Sequence, residues 1–271
     1  MTAHLWGLGL RPTHFSQFHA LPELPPVEIM ADNLLHHRGG PALHHTLRIT
    51  QRAPCVVLHG IGMNIGGAEP LSATYLHGIR ELERLFSPQV VSDHLCFTQA
   101  AGLQSYELLP IIRNKKALDH VVNRVDQIQQ TLGRQFCLEN VSAYISYHDD
   151  SIPEGDFLNE IAERSGCGIL LDVNNIFVSA HNFALDPFVE MSRFEAKHVK
   201  QIHVAGHSTK DDFLFDTHDT PVCETVWLML GKFLKSSASI PVILENDKND
   251  VELETLLAEL ELGKRRCNGA I

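Results

Sequence analysis

No apolar run in the 271-residue chain approaches the roughly 20 residues that a membrane span needs, so no membrane association is expected. The start, MTAHLWGLGLRP, has no basic segment followed by an apolar one, so no signal peptide is expected and the compartment predicted is the cytoplasm. Basic residues are few: Lys plus Arg number 22 against 33 Asp plus Glu, a net charge of −11. Sequence-independent binding to nucleic acid relies on a basic surface, so no nucleic-acid partner is expected. The six cysteines (55, 96, 137, 167, 223 and 267) form no CxxC pair, which argues against a structural zinc knot and for buried reduced thiols. No GxGxxG follows the first apolar run, which weakens a dinucleotide-binding sheet. The chain also lacks a fixed-period repeat, a low-complexity tract and a linker.

What is present is an alternation. Short apolar runs read as buried strands at 5–10, 27–30, 55–59, 89–94, 135–139, 168–172, 200–204 and 241–245. Amphipathic segments between them predict helices at 70–86, 116–132, 154–166, 186–194, 221–236 and 250–262, with a weaker pattern at 39–51. Strand then helix, eight times, predicts an α/β fold, a parallel (β/α)8 TIM barrel in a single domain. The barrel is assigned to residues 1–265 and a tail to 266–271; KRRCNGAI is expected to fray or to touch a partner. A typical barrel of this kind takes about 250 residues, which the chain supplies.

Histidine is abundant, 17 in all. Pairs such as His36–His37 and His44–His45 read as surface residues. Others stand at strand ends. The third strand ends on His59, the fourth on Asp93 and His94, the fifth on Glu139, the sixth on Asp172 with Asn174 and Asn175 behind it. The seventh gives His203 and the eighth Glu245. In such barrels the C-terminal strand ends carry the chemistry. Carboxylates gathered at one mouth repel one another unless cations lie between them. Imidazole together with carboxylate suits iron, zinc or manganese. DTHD adds Asp216 and His218, two apart and on one side of an extended loop. There are more ligands than one ion needs, so a cluster of two or three is expected, with Glu139 as the bridging carboxylate.

The order His59, His94, Glu139, Asp172, His203, Asp216-x-His218, Glu245 resembles the xylose-isomerase-like barrels and is similar to the trinuclear zinc endonucleases that cut DNA at abasic sites. Those have a histidine three residues after the strand-six aspartate, where this chain has Asn175. Sugar isomerases and epimerases share the barrel class. A closer resemblance lies in GLGLRPTHF, VVSDHLCF, LENVSAY, GCGILLDVNNIFVSAHN, IHVAGH and DTHDTPV. These segments look like the multinuclear non-haem iron-dependent oxidative enzymes, formerly a domain of unknown function. The resemblance implies an oxidase that uses two to three iron ions, mixed Fe(II)/Fe(III), with O2 as co-substrate. It further implies a cysteine-containing ribosomally made precursor peptide as substrate, and a small leader-peptide-binding partner protein in a heterodimer.

By resemblance, His59, His94 and Glu139 hold one iron; Glu139, Asp172, His203 and Glu245 a second; Asn175, Asp216 and His218 a third. Glu139, Asp172 and His203 would be catalytic. Asp93, Asn174, His181 and His207 would orient ligands by hydrogen bonds, and Asp247 would reach the site. Two segments depart from the general family. VEIMADN carries Asp32 where many members end Glu-Asn, and ILENDKND carries Asn246 where many have Trp. The Asp-Asn ending resembles the methanobactin branch, whose members convert cysteine to an oxazolone with a neighbouring thioamide.

Overall fold

The computed structural model describes residues 4–35, 39–100, 102–248 and 250–269; His36, His37 and the last two residues of the tail lie outside them. In chain order the strands and helices are β1 (Leu5–Gly9), α1 (Phe15–Ala20), β2 (Val27–Met30), α2 (Pro41–Thr50), β3 (Val56–Gly60), α3 (Ala73–Phe86), β4 (Val90–His94), β5 (Cys96–Ala100), β6 (Leu103–Pro110) and α4 (Lys115–Leu132). They continue with β7 (Cys137–Glu139), α5 (Glu154–Ser165), β8 (Gly168–Asp172), α6 (Val173–Asn182), α7 (Pro187–Ser192), β9 (Val199–Val204), β10 (Ser208–Lys210), β11 (Phe213–Phe215), α8 (Glu224–Leu234), β12 (Pro241–Leu244) and α9 (Leu253–Cys267).

Eight strands close in the order β1-β12-β9-β8-β7-β4-β3-β2, and every pairing around the ring is parallel. This is the (β/α)8 barrel. Two antiparallel hairpins, β5–β6 and β10–β11, are inserted after β4 and β9.

Side chains alternate along a strand, and here the two faces have different fates. Leu58, Val91, Leu138, Ile169, Ile202 and Val242 face outward and join the helices in the main core. Cys55, Val57, Val90, Cys137, Leu170 and Ile243 form a second, separate cluster that fills the barrel. Cys55 and Cys137 are therefore buried thiols inside the barrel, Cys96 and Cys167 are buried elsewhere, and all six cysteines are free.

The structure differs from the sequence reading in three places. Helix α6 begins immediately after β8, with Asp172 as its N-cap: Oδ1 accepts from Asn175 N at 2.6 Å. Its sequence, VNNIFVSAHN, is rich in Asn and β-branched residues, so propensity hides it. The tail is ordered further than expected, because α9 runs to Cys267, whose Sγ contacts the Trp227 carbonyl. DTHD is not extended throughout, since His218 adopts a left-handed φ of 48°.

Candidate metal centre

The inward alternation that fills the barrel also places the ligands. Two residues beyond Val57, Cys137, Leu170 and Ile243 come His59, Glu139, Asp172 and Glu245. By the same count His94 follows Ser92, and His203 follows Gln201. All six side chains close the C-terminal mouth of the barrel, and all six residues are buried.

They fall into two overlapping groups. One potential ligand atom from each of His59, His94 and Glu139 lies within 4.8 Å of the others, and the same holds for Glu139, Asp172, His203 and Glu245. Glu139 belongs to both. His59 Nε2 and His94 Nε2 stand 3.1 and 3.2 Å from Glu139 Oε2. That oxygen nevertheless makes no hydrogen bond, and neither does Asp172 Oδ2, although both are buried. Buried carboxylate oxygens without partners are costly. Glu139 Oε1 meets His203 Nδ1 at 3.2 Å, but Glu139 Oε2 and Asp172 Oδ2 converge with the imidazole nitrogens on shared points, which is the arrangement a cation requires.

The remaining nitrogen of each histidine is engaged outside the centre. His59 Nδ1 meets Ser92 Oγ at 2.9 Å, His94 Nδ1 meets the Gly60 carbonyl at 3.1 Å, and His203 Nε2 meets Glu28 Oε2 at 2.7 Å. These contacts fix ring orientation and favour a free lone pair on the inner nitrogen. Electrostatics follow from the crowding. Burial pushes Glu139 toward neutrality, but His94, His203 and His59 hold its carboxyl far below the usual range. Burial likewise opposes charge on His59, yet Glu139 and Glu28 raise its pKa to about 9. Asp172 is pushed strongly up, by burial first and then by Asp216 and Glu139. Two neighbouring carboxylates thus shift in opposite directions.

The third expected set is only partly assembled. Asp216 Oδ1 lies 2.7 Å from His218 Nε2, and His218 Nδ1 lies 3.6 Å from Glu245 Oε2. Asn175 is braced at both ends: its Oδ1 accepts from Ser142 Oγ at 2.7 Å and its Nδ2 donates to the Asn140 carbonyl at 2.9 Å. An amide oxygen has a second lone pair, so this bracing leaves room for one more contact.

The residues expected to orient ligands divide. His207 Nδ1 bonds Asn174 Oδ1 at 2.8 Å, and Asn174 Nδ2 donates to Asp216 Oδ1 at 2.7 Å, a relay that ends on a candidate ligand. Asp93 does something else. Its alternation points outward, where it accepts from His94 N at 2.7 Å, Met63 N at 3.1 Å and Tyr75 Oη at 3.2 Å. It fixes loop backbone, and its Oδ1 stays 4.0 Å from the His94 ring. His181 is exposed and meets the Asp212 carbonyl in the β10–β11 turn at 2.9 Å, away from every candidate ligand. Asp247 reaches the rim, 3.8 Å from His218 Nδ1, and pairs with Arg11.

Sequence reasoning missed Glu28, Gln201 and Ser92. Gln201 and Ser92 stand two places before a strand-end histidine, so the alternation that exposes Asp93 as outward also marks them as inward. Glu28 precedes no strand-end ligand, and only the closed ring brings it to His203.

Comparison with known proteins agrees with the fold and narrows the class. The family described as RiPP precursor modification enzyme MbnB/TglH/ChrH matches residues 5–267. A UPF0276 protein of Anaeromyxobacter sp. (strain Fw109-5) is 39% identical over 254 residues, covering 93% of this chain and 89% of that protein. One from Caulobacter vibrioides is 37% identical over 263 residues, 96% and 93% of the two chains. Among solved structures, D-psicose 3-epimerase from Clostridium cellulolyticum superposes with a TM-score of 0.63 at 11% identity, covering 99% and 98%. Endonuclease IV from Thermus thermophilus does so at 0.59 and 16%, covering 95% and 99%. At such identities the structural likeness speaks for the barrel alone.

Proposed function

The chain belongs to the MbnB/TglH/ChrH family of RiPP precursor modification enzymes, and from that premise we propose that it is an iron- and O2-dependent oxidase acting on cysteine residues of a ribosomally made precursor peptide. The observation that carries the metal part of this reading is the pair of ligand groups sharing Glu139, with unbonded Glu139 Oε2 and Asp172 Oδ2 buried between them. Imidazole and carboxylate in nearly equal number suit iron in two oxidation states.

In this reading His59, His94 and Glu139 hold one iron, and Glu139, Asp172, His203 and Glu245 a second. Asp216 and His218, with the free lone pair of Asn175, hold a third. Bound iron would supply the redox chemistry, coupling oxidation of the peptide cysteine to reduction of dioxygen. The chain supplies the rest. The Gly60 carbonyl, which only accepts, holds His94 in one tautomer, and Ser92 Oγ fixes the orientation of the His59 ring. Val57, Leu170 and Ile243 close the barrel below the centre and keep water from it on that side. The His207–Asn174–Asp216 relay fixes the rim carboxylate, and Arg11 holds Asp247 beside His218.

We assign the product to the methanobactin type, an oxazolone with a neighbouring thioamide, because VEIMADN ends Asp32-Asn33, as that branch does, where the general family ends Glu-Asn. A small leader-binding protein would present the peptide. Six free thiols in the chain support a cytoplasmic site of action. The test is metal analysis with Mössbauer spectroscopy on protein purified without oxygen. Two to three irons per chain, with a coupled mixed-valent pair, is the expected result. Stoichiometric zinc, and no oxygen consumption with any cysteine peptide after iron loading, would move the assignment to hydrolytic chemistry.

A further inference from the structure

We propose that Glu28 is a positioning residue of the metal centre, acting through His203. The proposal rests on the metal reading above and concerns a residue that is not itself a ligand in it. Glu28 lies in β2 and His203 in β9, and β1 and β12 stand between them in the ring. The contact therefore crosses the interior of the barrel. Glu28 is buried, and its Oε2 lies 2.7 Å from His203 Nε2 and 2.5 Å from Gln201 Nε2. Among the described residues no Lys or Arg makes a polar contact with it. Around this carboxylate the barrel is filled by apolar side chains such as Val57, Leu170 and Ile243. A hydrophobic residue would fill such a place at less cost, so packing gives no reason for an acid here.

The histidine gives one. A carboxylate at Nε2 draws the ring proton to that nitrogen and leaves the Nδ1 lone pair facing the centre. There Nδ1 stands 3.2 Å from both Glu139 Oε1 and Glu245 Oε2. The three histidines are unlike in this respect. Ser92 backs His59 with a hydroxyl and Gly60 backs His94 with a carbonyl, whereas Glu28 backs His203 with a formal charge. A charged acceptor makes imidazole the stronger donor. An ion held with His203 would thereby gain preference for its higher oxidation state, and Glu28 would set the two halves of the pair apart.

The experiment compares wild type with Glu28→Gln and Glu28→Leu, each purified without oxygen. Urea melts of the metal-free forms establish that each is folded. Fe(II) titration, Mössbauer spectra of 57Fe-loaded protein and the midpoint potential are then read. Glu28→Leu is expected to bind one ion of the pair about 10- to 100-fold more weakly, with the other unchanged. Glu28→Gln is expected to keep both ions, alter one quadrupole doublet and raise the midpoint potential. Should Glu28→Leu fail to fold, the potential of Glu28→Gln decides alone. Folded variants with wild-type affinity, doublets and potential would overturn the proposal. If wild type takes up no iron, the oxidase reading falls by itself. The visible bands of Co(II) titrated into the same three proteins then decide the role of Glu28: bands and affinity altered by the variants uphold it, and bands unchanged overturn it.

Discussion

Asp172 serves two demands that pull its carboxylate in opposite directions. Oδ1 caps α6, while Oδ2 sits buried without a hydrogen bond, close to Glu139 and Asp216. In the metal-free protein this charge is a liability. Asparagine retains a capping oxygen and removes the repulsion. Asp172→Asn is therefore expected to stabilise the metal-free protein by about 1–2 kcal/mol and to abolish turnover, as urea melts and activity assays will show. The second residue-scale expectation concerns pH. His59 has its pKa raised to about 9 against an ordinary 6.5, because Glu139 and Glu28 outweigh its burial. The folded state holds that proton more tightly, so its contribution is fully present below pH 6.5 and is lost as pH rises through 9. His203 and His218 are also shifted upward and act in the same direction as pH rises above 6.5, whereas Asp172, raised from an ordinary 3.8, begins to act from that lower pH. Glu139 and Glu245 are held low and act only in acid. The melting temperature of the metal-free protein is thus expected to fall between about pH 6.5 and 9.5. Metal affinity should rise over the same interval, because ligands must shed protons to bind. Melts with and without Fe(II) across that range measure both.

Among the elements, the segment after β9 shows how backbone places a ligand. Gly206 passes so close to the Thr220 carbonyl oxygen that a Cβ there would lie 1.8 Å from it, and the Gly206 carbonyl accepts from His218 N at 3.1 Å. A side chain at this point must push the DTHD loop outward. Gly206→Ala is expected to destabilise the fold by about 1–3 kcal/mol and to lose the ion assigned to Asp216 and His218 while keeping the other two, which metal counting will reveal. What sequence made legible follows the same division between strand and loop. The eight strands announced themselves, because residues buried on both faces read as continuous apolar runs, and their ends named His59, His94, Glu139, Asp172, His203 and Glu245 directly. Loops did not. The extended geometry expected for DTHD gave way to a left-handed His218, since a histidine tolerates that conformation and nothing in its identity announces it. Resemblance groups Asp93 and His181 with the centre, whereas Asp93 points outward by strand alternation and bonds loop backbone, and His181 meets the Asp212 carbonyl. Glu28 was invisible because its partner is 175 residues away.

At the scale of the whole molecule the protein has two cores with different duties. The large one joins barrel to helices, and the small one plugs the barrel under the ligands. Neither contains a metal ligand. Stripping the ions with a chelator is therefore expected to leave the far-UV circular dichroism unchanged while lowering the melting temperature, with recovery on adding Fe(II) without oxygen. The size of that recovery reports affinity, since a ligand that binds only the folded state stabilises it by RT ln(1 + [L]/Kd). Loss of the dichroism on chelation would mean that the ions hold the fold and the cores do not.

Each of the six principal candidate ligands stands at the end of its own strand, and this distributes risk unevenly along the gene. Loops other than the one that carries Asp216 and His218 are free to lengthen, shorten or be exchanged with those of a relative, because every strand delivers its own candidate ligand in step. A single codon lost inside any one of those strands turns its ligand from the mouth to the helix layer and leaves the other five in place. The fold is thus tolerant in most of its loops, and intolerant at a few short runs that look like ordinary core.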